Sequence, residues 1–358
     1  MTRRLVVIIA LALVVAVAVG GWLGWRALQR TTYEQAVASL PESTLRATYT
    51  DWAAVRRLAD GSSLGSSSSS RDVSNFVSRA YDLDLTSTSA VVDSTYAMNR
   101  RYGFSPIDAE WEAFGQSREG QVVVMRFGDS VDLEGVERNL RRLGYTAPED
   151  GAGSGGVWAG SVDLVATIDP ALTPVMQNVV VLPEERLVLL SDAEAYAASS
   201  ASVLTGSAPG LDEVDGVRGL ASAAGEPASA TLLASDFACE ALSMADADEE
   251  DQAVADDLIA SAGGVSPLSG VVVAMNPDRS LVVGMHFESS DQASDDLRPR
   301  VELASGEAVG QGGTFGERFR VVEAAADGNE IVMDLEPTAD DLPLLSDLTD
   351  GPLLFASC

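Results

Sequence analysis

Few kinds of side chain in this sequence can do chemistry, although carboxylates abound. Fifty-four Asp and Glu face 23 basic residues, all of them arginine. One histidine, His286, and two cysteines, Cys239 and Cys358, complete the set. Without lysine there is no ammonium to cradle a nucleotide phosphate, no Schiff base and no Ser–Lys pair. A lone histidine excludes zinc sites built on two or three imidazoles, and His–Cys clusters of the usual spacing with them. Hydrolysis would have to use carboxylates alone, two acids about 5–9 Å apart, or rest on His286. No catalytic, cofactor-binding or metal-ligating set emerges, and no cofactor is expected. The even pair Cys239 and Cys358 suits one bridge in an oxidising compartment, the alternative being two buried thiols. Such a bridge would close a loop of about 120 residues and add about 4–5 kcal/mol on the chain-entropy model, less any strain.

Three stretches invite a functional reading. Gly128-Asp129-Ser130 stands between a strand and a helix and resembles the nucleophile block of the Gly-Asp-Ser-Leu esterases. That resemblance implies a serine nucleophile served by a late Asp-x-x-His. This chain has Val131 in place of Leu, and Val283 three places before its only histidine. Glu288-Ser289-Ser290 occupies the corresponding strand-to-helix junction later in the chain, so the spacing predicts a helix cap at both places. Asp246, Asp248, Glu249, Glu250 and Asp251, then Asp256 and Asp257, form an acidic run. It lacks the central Gly and closing Glu of a calcium loop, and it leads a helix over 252–261 whose dipole favours acids at its start. His286 lies in an alternating strand over 281–287, with Met285 and Phe287 on the opposite face, and reads as a surface or half-buried strand residue.

The elements that position these groups begin with residues 5–25, LVVIIALALVVAVAVGGWLGW, which carry no charge. Twenty-one residues at about 1.5 Å each just span a hydrocarbon core of about 30 Å. Ala16-Val17-Ala18 resembles a cleavage site, yet apolar sequence continues past it to Trp22 and Trp25, followed by Arg26 and Arg30, an interfacial pattern. The expectation is a cytoplasmic tail (1–4), an uncleaved transmembrane anchor (5–27) and a juxtamembrane helix (28–40). The bulk of the chain is then extracytoplasmic on a single-pass cell-membrane protein. Outside residues 1–27 stand 20 arginines against 54 acids, a net charge of −34. That balance argues against nucleic acid as a partner and against docking on anionic lipid headgroups.

Beyond the span the chain reads as a duplication. Thr50-Asp51-Trp52-Ala53 recurs as Ser235-Asp236-Phe237-Ala238, each a strand running into a helix start where Asp can cap and the aromatic can anchor. VVVMRF (122–127) recurs as VVGMHF (282–287), each followed by an amphipathic helix; Pro299 falls in the second and would kink it. The hairpin 178–192 recurs at 319–335, each again followed by a helix, the second at about 341–348. The fold class expected is α+β: a transmembrane helix, then two duplicated lobes, each a mainly antiparallel sheet with covering helices. Lobe one takes 41–208, with a serine-rich loop (61–70) and a helical insertion (71–114, helices at 71–82, 87–101 and 105–114). A connector (209–225) leads to lobe two (226–358), which ends in a short strand at 353–356. The glycine loop from Gly151 opens no helix behind a strand, so it is no dinucleotide site. These features favour a membrane-anchored binding or interaction module with a protein or cell-envelope partner, acting through a groove between the lobes. A carboxylate-based hydrolase of envelope polymer is one alternative. The other is an apolar-ligand carrier with a cavity under the 71–114 helices.

Overall fold

The structure is a computed structural model of the 358-residue chain and describes residues 30–65, 67–149, 155–244, 247–339 and 342–358. The expected tail and span, most of the glycine loop and Asp246 lie outside the described residues. Among the described residues no helix is long and apolar enough to cross a membrane.

One antiparallel sheet of eleven strands organises the rest. The first half supplies β1 (Arg46–Thr50), β2 (Ala109–Gln116), β3 (Gln121–Phe127), β4 (Val157–Ala159), β5 (Asn178–Leu182) and β6 (Leu187–Ser191). The second supplies β7 (Ser229–Ala234), β8 (Gly270–Met275), β9 (Leu281–His286), β10 (Phe319–Asp327) and β11 (Glu330–Pro337). Their order across the sheet is β10-β11-β9-β8-β7-β1-β2-β3-β6-β5-β4. The class is therefore α+β, with a single sheet in place of two. The halves join because β1 and β7 pair along their length, from Arg46 opposite Leu233 to Thr50 opposite Ser229. Outward from that seam one side runs β2, β3, β6, β5 and the other β8, β9, β11, β10.

Side chains alternate faces along each strand, and helices cover both faces. Against one face lie α1 (Thr32–Ala38), α7 (Glu194–Leu204) and α8 (Val217–Ala224), over a core that includes Tyr49, Trp111, Val124, Leu232 and Val272. The other face carries α2 (Trp52–Leu58), α3 (Ser70–Asp82), α4 (Thr95–Tyr102), α5 (Leu133–Leu143), α6 (Val162–Ile168) and α9 (Phe237–Leu242). With them are α10 (Glu249–Ala262), α11 (Ser290–Leu303) and the short α12 (Leu344–Asp347). Double cover is why β5 and β6 read as unbroken apolar runs.

The insertion departs from its expected form. Residues 105–114 were expected as a helix, but Ala109–Gln116 is β2, next to the centre of the sheet. AEWEAFGQ is rich in helix-favouring Ala and Glu, yet its period is two: Trp111 and Ala113 face α1, Glu112 the other side. Pairing on both edges overrides propensity. Of the helix expected at 87–101, a short turn at Val92–Ser94 and α4 remain. The connector holds α8, and 353–356 is a 3₁₀ turn (Leu354–Ala356) instead of a strand. Pro299 is accommodated inside α11.

Candidate functional site

The esterase-like block does not assemble into a nucleophilic site. Asp129 and Ser130 lie exposed beyond the end of β3. The Arg186 guanidinium donates to the carbonyls of Gly128 and Val131 and so holds the turn. His286 ends β9, five strand spacings from β3, which at about 4.8 Å each is about 24 Å. The junction instead leads into a cap, with Asp132 Oδ1 accepting from Gly135 N at 2.9 Å to start α5. Ser289 does the same for α11, in a capping box with Gln292. In the acidic run Asp248 caps α10, accepting from Glu250 N (3.1 Å) and Asp251 N (3.0 Å). No cluster of His, Cys, Asp and Glu among the described residues could hold a metal ion.

His286 is 5 % exposed, more enclosed than the sequence suggests. Its Nδ1 is 2.8 Å from Ser269 Oγ, and its ring lies beneath Gly216, where a Cβ would come within 2.4 Å. Gly216 precedes α8, and one turn on Gly219 makes room for the carboxylate of Glu330, the residue opposite His286 on β11. Burial holds the His286 pKa below its ordinary value, against an opposing pull from Asp215. Burial, with Asp327 assisting, pushes Glu330 up.

Sequence reasoning missed Glu112, a carboxylate fully buried in the middle of the sheet. It accepts from Trp52 Nε1 (2.9 Å), Ser89 Oγ (2.8 Å) and Ala90 N (2.8 Å). Desolvation raises its pKa, and these donors pull it down by a smaller amount. Its task is to pin the 85–91 loop across the seam. There Thr48 Oγ1 donates to Thr88 O (2.5 Å), Thr50 and Thr88 join hydroxyl to hydroxyl (2.7 Å), and Ser229 Oγ donates to Leu85 O (3.2 Å). The available signal was a Glu at an inward position beside the anchoring Trp52.

The expected groove between lobes is filled by the β1–β7 ladder. Where a carrier would need a cavity, Trp52, Phe76, Tyr102 and Phe104 are fully buried in packed core. Cys239 and Cys358 form a disulfide, tying the first turn of α9 to the end of the chain. Beside it Arg300, wholly buried, pairs with Asp296 (3.0 Å) and donates to the carbonyls of Phe355 (2.7 Å) and Ser357 (3.1 Å). An open hollow of about 420 Å³ sits at the outer corner of the second half, floored by Phe319 and Val321 and flanked by the Arg320–Glu336 ion pair. It is the candidate binding surface. The strand edge beside it carries a bulge between Val321 and Glu323 and exposed charges at Arg320, Glu323 and Asp327, devices that discourage sheet-to-sheet pairing.

The fold and its disulfide define an acidic, disulfide-bonded α+β protein built on one antiparallel sheet. Among solved structures it is distantly similar to TP0453. Crystal form I matches at 7 % identity over 88 % of this chain and 98 % of that one, with a TM-score of 0.38. Crystal form III matches at 8 % identity over 86 % and 96 %, with a TM-score of 0.35. Nothing about function follows from likeness at that level. No family model matches the chain, and no curated protein is significantly similar to it.

Proposed function

We propose that this chain is a membrane-anchored, extracytoplasmic binding or interaction module of the cell envelope, held by residues 5–25 as a single retained span. The observation that carries the reading is the Cys239–Cys358 disulfide, a bond that persists in oxidising compartments and is rare in cytosol. The uncharged run of 21 residues ahead of the body supplies the means of export and attachment.

The body itself reads as two fused copies of one half. The Thr50-Asp51 and Ser235-Asp236 motifs are 185 positions apart, which makes Ala47 the counterpart of Leu232. Those two residues stand directly opposite each other in the seam, where a local two-fold axis between copies must fall. An offset of 160 aligns β3 with β9, and the observed ladders then align β6 with β11 at 143, the offset at which RLVLLSD matches NEIVMDL.

Protease added to intact cells should degrade the body, and its survival there would overturn the topology. Non-reducing peptide mapping should recover Cys239 joined to Cys358; two alkylatable thiols would remove the carrying observation. A binding partner is sought by photocrosslinking from residues lining the corner hollow, since amine-directed reagents find no lysine.

A further inference from the structure

The body grips the chain from the first described residue onward. Arg30 Nη2 is 2.8 Å from Asp212 Oδ2, and the Arg30 carbonyl accepts from Gln35 Nε2 at 3.1 Å. Thr31 and Glu34 form a capping box at the start of α1. That helix buries Tyr33, Ala36 and Val37 against the sheet, so it belongs to the core and cannot act as a hinge. Asp212 is shared with Arg218 (3.2 Å) near the start of α8, and Arg218 also holds Glu213 (2.8 Å).

Only residues 26–29 separate this grip from Trp25, the last residue of the uncharged run. Four residues reach about 14 Å when fully extended. The polar layer on each side of a bilayer is about 5–8 Å deep. A body fixed at Arg30 therefore cannot swing away on a tether.

We infer that one rim, comprising the start of α1, the 205–213 loop and the start of α8, rests against phospholipid headgroups and gives the body one orientation on the membrane. This inference rests on the anchored reading above. The short reach from the uncharged run to Arg30 makes this rim the landing face, and its arginines keep its charge far below that of the rest of the body. The chain outside residues 1–27 carries a net −34, which a phosphate surface repels; at this rim Arg30 and Arg218 offset part of the charge of Glu34, Asp212, Glu213 and Asp215, leaving a local net of −2. The opposite side, with α10 and its acids, is then turned to the solvent.

The test uses the full chain in phosphatidylcholine–phosphatidylglycerol vesicles that carry an energy acceptor on the headgroups. A donor dye is placed on Ser207→Cys, exposed in the hollow that Arg30 also lines, or on Ser261→Cys at the end of α10. The two sites lie on opposite sides of the sheet, roughly 20 Å apart through two layers. Ser207→Cys should give the larger transfer. Inserting a Gly-Ser linker of about twelve residues after Leu28, with a reach of about 40 Å, should abolish the difference. Equal transfer from both sites without the linker would overturn the rim while leaving the anchor intact. Failure of the unlabelled chain to float with vesicles would overturn the anchored reading and the rim with it.

Discussion

At the scale of single residues, the decisive groups are two buried titratable side chains. Glu112 is a carboxylate that accepts from the neutral donors Trp52, Ser89 and Ala90, and burial disfavours its ionised form. The native state thus holds the Glu112 proton to a higher pH than the unfolded chain, whose ordinary value is 4.5. Stability should rise as pH falls from the native pKa toward 4.5, and Glu112→Gln should flatten that rise in denaturant titrations across pH. Glu112→Ala strands three buried donors and should lose about 3 kcal/mol or more at neutral pH; a loss below about 1 kcal/mol would mean the 85–91 loop is held by other groups. His286 works in the opposite sense, since burial lowers its pKa from 6.5. Its contribution is complete above pH 6.5 and drains as pH falls through the native pKa. A wild-type chain that loses no more stability than His286→Gln between pH 7 and 5 would show that the imidazole charges freely where it sits. Neither role could be read from residue type. The Asp51 cap could: it accepts from Ala54 N at 2.8 Å as the motif implies. Asp236, in the matching motif of the second half, makes no such bond, because Ser235 turns into the left-handed region and reshapes that helix start.

At the scale of elements, the seating of α8 turns on its glycines. Gly216 has φ +76, and a Cβ there would meet the ring of the buried His286. Gly216→Ala should lose about 1–3 kcal/mol from backbone strain and displaced packing together. Gly219 is helical, and its added Cβ would meet only the far end of the Glu330 side chain. That carboxylate is half-buried and already penalised, so moving it toward water relieves part of the loss, while Ala favours helix by up to about 1 kcal/mol. Gly219→Ala should therefore stay within about 1 kcal/mol of wild type in the same denaturation assay. Equal losses at both glycines would show that the helix, and not the histidine seat, sets the cost. Elements with one clear period, such as α5 and the 122–127 and 281–287 strands, were legible in the sequence. The second strand, 109–116, was not, because Ala and Glu favour helix and only its two neighbours reveal an alternating face. The 217–224 helix hid in what read as a connector.

At the scale of the molecule, the question is whether the two halves are separable. The sequence suggests so, since each repeats the same order of strands and helices. Pairing between β1 and β7 argues otherwise, and so do clasps made by the insertion in the first half. Asp84 accepts from the backbone N–H (3.0 Å) and hydroxyl of Ser346, beyond the second half's last strand. Arg279, in the β8–β9 turn, donates to Leu83 O (2.7 Å) and Leu342 O (3.0 Å), tying insertion and C-terminal segment to one guanidinium. The 85–91 loop lies over β7, β1 and β2 together. A cut between the halves would bare one edge each of β1 and β7, strands buried along nearly their whole length, and leave the backbone groups on that edge unpaired. Chains of residues 30–224 and 225–358 made separately should therefore aggregate or remain unfolded, whereas residues 30–358 should unfold in one transition seen alike by far-ultraviolet circular dichroism and tryptophan fluorescence. The three tryptophans of that chain, Trp52, Trp111 and Trp158, all fall in the first half, so fluorescence follows that half alone while circular dichroism follows both. Non-coincident curves, or a soluble folded half, would show that the halves are two independent domains and that the seam is only a contact between them.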